Sequence, residues 1–228
     1  MKKLYFIYNP HSGREQIRNK LSDILQIFSR AGYEVTVYPT RECKDATEKI
    51  EELSEDYDLV VCSGGDGTMD EVVEGMMRRE QKIPIGYIPS GTINDFARSL
   101  KIPRDMKKAA QIAVCGKNFA CDMGTFNKQH FVYIAAFGIF TDVAYSTKQN
   151  MKNVLGHMAY LLEGVKRLTN IPSYHMKFSS KEMTEEGDFI FGMVTNSRSV
   201  GGFKSIIGRK VQFDDGVFEI TFIRTPKN

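Results

Sequence analysis

A chain of 228 residues, 42% hydrophobic and with 7 prolines, is long enough for one large or two ordinary globular domains, each with its own core. Its 31 basic and 28 acidic residues leave a net charge of +3, too balanced to argue for a nucleic-acid surface, so no nucleic-acid partner is expected. The start MKKLYFIYNP has only Leu4 to Tyr8 as an apolar stretch, too short for a secretory segment, and the longest apolar run, Phe131 to Phe140, is about half of what a spanning helix needs. A cytoplasmic protein without a transmembrane anchor is expected. Cys43, Cys62, Cys115 and Cys121 show no CxxC pairing, so neither structural zinc nor disulfides are expected.

The first half alternates strands and helices. LYFIY (Leu4 to Tyr8) reads as a strand and runs into the turn NPHSGR, Asn9 to Arg14. Gly13 and the helix after it offer backbone N–H groups, Ser12 a hydroxyl and Arg14 a positive charge, though a plain strand-to-helix turn capped by Ser12 fits equally well. Ile17, Leu21, Ile24, Leu25 and Phe28 then form a helical stripe. YEVTVY (33 to 38) is a second strand, and Ala46, Ile50 and Leu53 a second helix, opened by a capping box from Asp45 to Glu48. DLVVCS (58 to 63) leads into the turn GGDGT, Gly64 to Thr68, and a helix with Met69, Val72, Val73 and Met76 on its buried stripe.

IPIGYI (83 to 88) leads into PSGTINDFA, Pro89 to Ala97. Arg98, Lys101, Arg104, Lys107 and Lys108 follow, either as a solvated helix face or as a surface for anionic lipid heads. This order predicts a parallel, doubly wound-like sheet, with the three glycine-bearing turns converging on one crevice at the carboxyl ends of its strands. After about Asp122 the rhythm changes. FVYIAAFGIF, YHMKF, DFIFGMVTN and VFEITFI read as strands, with one helix at about Asn153 to Thr169, which predicts an antiparallel β domain. Phe218, Ile220 and Phe222 alternate with Glu219 and Thr221, so one face of the last strand is expected buried and the other wet.

GGDGT places three glycines in four positions, so the backbone can approach a ligand closely. It matches neither GxGxxG nor GxxxxGK[ST], so neither a dinucleotide fold nor a Walker loop is supported. Asp66 puts a carboxylate where a phosphate would sit. It is either a helix N-cap, a role open to Thr68 as well, or the ligand of a divalent cation that bridges carboxylate and phosphates. Asp95 is likewise either the cap of the helix that follows or a second carboxylate of the same site.

NPHSG, GGDGTMDE and PSGTINDFA, in this order and at this spacing, resemble the catalytic domain of the diacylglycerol kinase family, in particular its soluble bacterial lipid kinases. ACDMG (120 to 124) and FDDGVFEI (213 to 220) resemble later motifs of that family. The resemblance implies an ATP-dependent kinase with an α/β nucleotide-binding domain (1–122), an antiparallel β-sandwich domain (123–228) and the active site between them. It implies ATP held by Asn9, Pro10, His11, Ser12 and Gly13, by Thr40, by Gly64, Gly65, Asp66, Gly67, Thr68, Met69 and Asp70, and by Thr92. Asp66, Asp95 and Asp122 match the family's acidic, Mg²⁺-linked catalytic network. Asp215, with the backbone carbonyls of Gln212 and Val217, matches a second, structural Mg²⁺ site. The implied partner is a lipid substrate met peripherally at the membrane surface, and exposed strands of the β domain permit a homodimer.

Two departures from the family stand out. Asp70 occupies a place where the family often has asparagine. The family's general base, an aspartate in an Asp-Gly-Glu motif, is expected beyond Asn228, so the chain reads as truncated and without its catalytic base. Diacylglycerol is the default acceptor and phosphatidic acid the product. Two other readings stay open: an NAD kinase, whose family uses a GGDGT turn on a related fold but is matched less well by PSGTINDFA, and a nucleotide-binding regulatory protein without activity.

Overall fold

The computed structural model describes residues 1–13, 16–139, 141, 172–200 and 211–226. The first half contains β1 (Lys2–Tyr8), α1 (Ile17–Arg30), β2 (Tyr33–Pro39), α2 (Asp45–Glu51), β3 (Leu59–Gly64), α3 (Asp66–Arg78), β4 (Ile85–Pro89), α4 (Asp95–Ser99) and α5 (Met106–Cys115). The four strands pair in parallel in the order β2-β1-β3-β4. Alternation along β1 assigns the two faces. Leu4 and Phe6 pack with Ile17, Ile24 and Phe28 of α1 and with Met106, Ala109 and Ala110 of α5. Tyr5 and Ile7 pack with Ala46 and Ile50 of α2 and with Met69, Val72, Val73 and Met76 of α3. A parallel sheet covered on both faces needs strands that are apolar throughout, and β3 is buried at every position. Cys62 lies in that strand, fully buried, and burial pushes its thiol pKa well up.

The second half contains β5 (Gly124–Phe126), β6 (Gln129–Phe131), β7 (Ile134–Gly138), β8 (Tyr174–Ser179), β9 (Thr184–Thr195) and β10 (Glu219–Arg224). β5 and β6 form a hairpin whose loop residue Asn127 takes φ +57°. The long strand β9 pairs antiparallel with β10 along one side; on the other it pairs first with β8 and then with β7. Phe137 fills the space above Gly192, where a side chain would collide with its ring. Phe222 stacks on Phe178 at 3.6 Å and lies 5.4 Å from Phe189. The molecule therefore joins a parallel α/β layer to a second, antiparallel β domain.

Three expectations are corrected. Asp45 opens no capping box: Lys44 is the N-cap of α2 and makes no side-chain cap bond. Instead the Asp45 carboxylate accepts the Arg41 N–H at 2.8 Å and the Tyr38 hydroxyl at 3.0 Å, tying α2 to the end of β2. FVYIAAFGIF is not one strand, because the chain breaks between β6 and β7 at Val132-Tyr133. There the Val132 N–H turns to Asp70 and the Tyr133 carbonyl accepts from Thr195 and Asn196. Ile220 is 49% exposed rather than buried, since its cross-strand neighbours are Val194 and, beyond it, Ala135, too small to cover it. The helix expected at Asn153 to Thr169 lies outside the described residues.

Candidate active site

Strands β1 and β3 are neighbours, yet the helices that follow them, α1 and α3, lie on opposite faces of the sheet. The carboxyl ends of β1 and β3 thus flank the topological switch point, where open α/β sheets leave a crevice. The three glycine-bearing turns meet there. Asn9 accepts the His11 N–H at 2.9 Å and reaches Thr68 Oγ1 of the second turn at 3.4 Å. Gly13, at φ +58°, lies against the Ser90 carbonyl so closely that any side chain would collide with it. A Cβ on Gly91 would sit 2.6 Å from the Gly65 Cα. The Gly64 carbonyl accepts from Ser90 and Gly91 at 2.9 and 3.2 Å. Gly67 instead faces open space, and no side chain caps α3, so first-turn N–H groups of a 13-residue helix point into the crevice.

The carboxylates divide into two groups. Asp66 is the first residue of α3 but caps α4. Its oxygens accept the Asp95 N–H at 3.0 Å and the Phe96 N–H at 3.1 Å. Burial raises its pKa to about 6, against the lowering effect of those two donors. Asp95 caps nothing, as the N-cap of α4 is Asn94, folded back onto Gly91. The Asp95 carboxylate is 1% exposed; it accepts the Tyr133 hydroxyl at 2.8 Å and the Ser199 hydroxyl, and Arg98 lies 3.7 Å away. One turn along α3 from Asp66, Asp70 accepts the Val132 N–H at 3.4 Å. Burial and, after the opposing Val132 bond, the neighbouring Asp66 charge raise its pKa to about 7.

Asp122 belongs to the second group. Its carboxylate accepts the Gly216 N–H at 2.6 Å, and its backbone N–H donates to the Phe213 carbonyl, which places it on the Asp214-Asp215-Gly216 turn. Asp215 accepts from Val217 N–H at 3.0 Å and from the Gln212 amide at 3.4 Å. Of the remaining expected residues, Thr40 extends the ladder to the Tyr8 carbonyl at 2.8 Å beside the first turn, and Thr92 and His11 are exposed at its rim. Met69 offers least to a ligand: its side chain is in the core and its N–H is bonded to the Gly65 carbonyl. Arg14 lies outside the described residues.

Sequence reasoning missed the polar seam that joins the two halves. Thr195, Asn196, Ser197 and Ser199 are all 2% exposed or less. Ser197 bonds Ser99 at the end of α4 at 2.8 Å, and the Asn196 amide donates to the carbonyls of Asp122 and Phe213 at 3.3 and 3.4 Å. The one available signal is TNSRS directly after an apolar strand, a polar run where a buried segment is unexpected. Glu74 of α3 makes a similar tie, accepting the His130 N–H at 2.6 Å from β6.

Among the described residues no group of three or more His, Cys, Asp or Glu side chains is gathered as a ready metal cage. The donors present nevertheless suit a hard cation, which takes few carboxylates and completes its shell with waters and phosphate oxygens. Asp66 and Asp70, one turn apart on α3, meet that description at the crevice. The set expected at Asp215, one carboxylate with two backbone carbonyls, is likewise all oxygen, and in the structure that carboxylate is held by the Val217 N–H and the Gln212 amide. Glycines whose missing Cβ atoms leave room for close approach, beside an uncapped helix N-terminus, suit phosphates.

The sequence matches the family described as diacylglycerol kinase catalytic domain over residues 3–126. It is 36% identical over 226 residues to a diacylglycerol kinase of Bacillus subtilis (strain 168), covering 98% of this chain and 74% of that one. To a diacylglycerol kinase of Staphylococcus carnosus (strain TM300) it is 33% identical over 224 residues, covering 98% and 73%. Among solved structures it superposes on the crystal structure of a diacylglycerol kinase from Bacillus anthracis str. Sterne with a TM-score of 0.78 at 28% identity, covering 98% of this chain and 74% of that one. The chain therefore belongs to the diacylglycerol kinase catalytic-domain family.

Proposed function

We propose that the protein is an ATP-dependent lipid kinase that transfers the γ-phosphoryl group to the hydroxyl of diacylglycerol or a related lipid alcohol, giving phosphatidic acid from diacylglycerol. The observation that carries this reading is the meeting of three glycine-bearing turns at the switch point, with α3 uncapped and the half-buried carboxylates Asp66 and Asp70 beside it. Family membership supplies the class of reaction.

In this reading the first-turn N–H groups of α3, with Asn9, Ser12 and Gly13, hold the phosphates, and Thr40 and Thr92 border the nucleoside. Phosphoryl transfer asks the protein mainly for position and charge stabilisation. Asp66, Asp70 and Asp95 would hold Mg²⁺, which when bound neutralises charge on the phosphates. Asp122 orders the Asp215 turn through the Gly216 N–H, and Asp215, Gln212 and Val217 would hold a second, structural ion. We place the nucleotide domain at 1–122 and the β domain at 123–228.

A cavity of about 350 Å³ beside the third turn, lined by Pro89, Asn94, Ala97, Arg98, Ile102 and Arg104, supports a lipid with a polar head presented from a membrane surface on the cytoplasmic side. β10 is an edge strand among the described residues and carries exposed Ile220, a surface suited to a second copy of the chain. The deciding assay measures, on the full-length gene product, γ-phosphate transfer from ATP, with Mg²⁺, to diacylglycerol vesicles and to NAD. Transfer to the lipid is expected. Transfer to NAD, or to neither, sinks the reading.

A further inference from the structure

Helix α4 has only five residues, yet it is held from three directions. Its first two N–H groups go to the Asp66 carboxylate of the nucleotide turn. Its last residue, Ser99, bonds Ser197, and the Ser99 hydroxyl also accepts the Arg198 N–H at 3.2 Å. Its first residue, Asp95, turns a carboxylate that is 1% exposed toward Tyr133 and Ser199. Ser197, Arg198 and Ser199 follow β9, and Tyr133 lies between β6 and β7. Isolated, a five-residue helix is far too short to be stable, so α4 owes its place to these bonds together with the packing of Phe96 and Ala97 in the core.

A buried carboxylate is costly unless its oxygens are hydrogen-bonded. Both Asp95 oxygens accept hydroxyl groups supplied by the antiparallel half of the molecule. Asp95 can therefore keep this orientation only while that half is docked. The line of bonds runs from the nucleotide turn (Asp66) through the backbone of α4 to Asp95 and across to Tyr133 and Ser199. Displacing either hydroxyl shifts a carboxylate and, through the α4 amides, the Asp66 side chain that shares the crevice.

We propose that Tyr133 and Ser199 are positioning residues for phosphoryl transfer, holding Asp95, and through α4 Asp66, in the arrangement the reacting phosphate requires. The β domain thus completes the site on the nucleotide domain as well as covering it. The inference rests on the lipid-kinase reading for its kinetic consequence, while its structural part stands apart from it.

The test pairs Tyr133→Phe, which removes one hydroxyl and no volume, with Ser199→Ala, and reads each in two ways. In the kinase assay each variant is expected to lower kcat by about 10- to 100-fold, as loss of a bond that orients a ligating carboxylate does, with KM for ATP held within about twofold. In hydrogen exchange each is expected to speed exchange of the Asp95 and Phe96 amides while the amides of β1 and β3 keep their protection. Unchanged kcat with unchanged exchange overturns the proposal. So does a fall in kcat matched by an equal rise in KM and by loss of protection across the whole parallel sheet, which marks general destabilisation. If the native protein phosphorylates no lipid, the functional reading fails; the exchange arm then decides the proposed coupling, and unchanged Asp95 and Phe96 amides overturn it.

Discussion

Replacing Asp70 by asparagine tests the electrostatics of the crevice directly. Asp70 is largely buried, its one described hydrogen bond is a long one from Val132 at 3.4 Å, and its pKa stands at about 7 against an ordinary 3.8. A carboxyl group with a raised pKa binds its proton more tightly in the folded than in the unfolded chain. Its favourable contribution is complete below pH 4 and is lost as pH rises through 7; above that the folded protein carries a buried charge. The rise from 3.8 to about 7 corresponds to about 4 kcal/mol at 1.36 kcal/mol per tenfold change in proton affinity. Asparagine keeps an oxygen for Val132 and never ionises. The variant should match the native protein near pH 4 and exceed it by about 2 to 4 kcal/mol above pH 7, worth roughly 4 to 16 °C in Tm for a chain of this size. Urea unfolding in chelator, stepped from acid to pH 8, measures the difference. Stability curves that run parallel across that range would refute the reasoning.

Three further outcomes are expected. Asp66→Ala strips two α4 amides of their acceptor, so it should cost about 1 to 2 kcal/mol in unfolding free energy and lower phosphoryl transfer by at least about 100-fold; near-normal turnover at saturating Mg²⁺ would remove Asp66 from the ion's ligands. Gly91→Ala places a Cβ 2.6 Å from the Gly65 Cα and 2.7 Å from Asn94 Oδ1, so it should part the second and third turns and weaken ATP binding at least tenfold, a loss of about 1.4 kcal/mol within the usual cost of overpacking; calorimetric titration with ATP reads it. For Asp215→Ala, added Mg²⁺ should raise the melting temperature of the native protein and leave the variant's unmoved, as linkage requires; equal shifts in both would take the ion out of that turn.

The parallel layer was legible in the sequence because its signals are local. The β-rich run LYFIY and the stripe from Ile17 to Phe28 each describe one element, and the glycine turns sit where strands end, so the crevice follows from topology alone. The destination of a side chain was not legible where a distant partner decides it. Asp45 followed by Glu48 has the spacing of a capping box, but Tyr38 and Arg41 compete for the carboxylate and win with several bonds. Asp66 was weighed as a cap of its own helix or an ion ligand; that it caps α4, about thirty residues on, depends on two turns being brought together. Asp122 stood with Asp66 and Asp95 in the expected network, whereas its carboxylate accepts the Gly216 N–H of the later turn. The polar seam from Thr195 to Ser199 follows the same logic, since its burial exists only between two domains.

The carboxylate in a phosphate turn has a consistent physical account. Asp66 and Asp70 both lie where burial favours the protonated form, and the Asp66 charge raises the cost of ionising Asp70. A site arranged only for stability would place neutral groups there. The cost would fall on binding a divalent cation, because attraction in a poorly solvated crevice is strong. A cation held there would let phosphates approach the α3 amides past two carboxylates. Without it, the two functions of the turn oppose each other, as its N–H groups attract anions and its side chains repel them. ATP alone should therefore bind more weakly than ATP with Mg²⁺, and the difference should shrink in Asp70→Asn, where one of the repelling charges is gone. Equal benefit from Mg²⁺ in the native protein and the variant would mean that Asp70 takes no part in holding the ion.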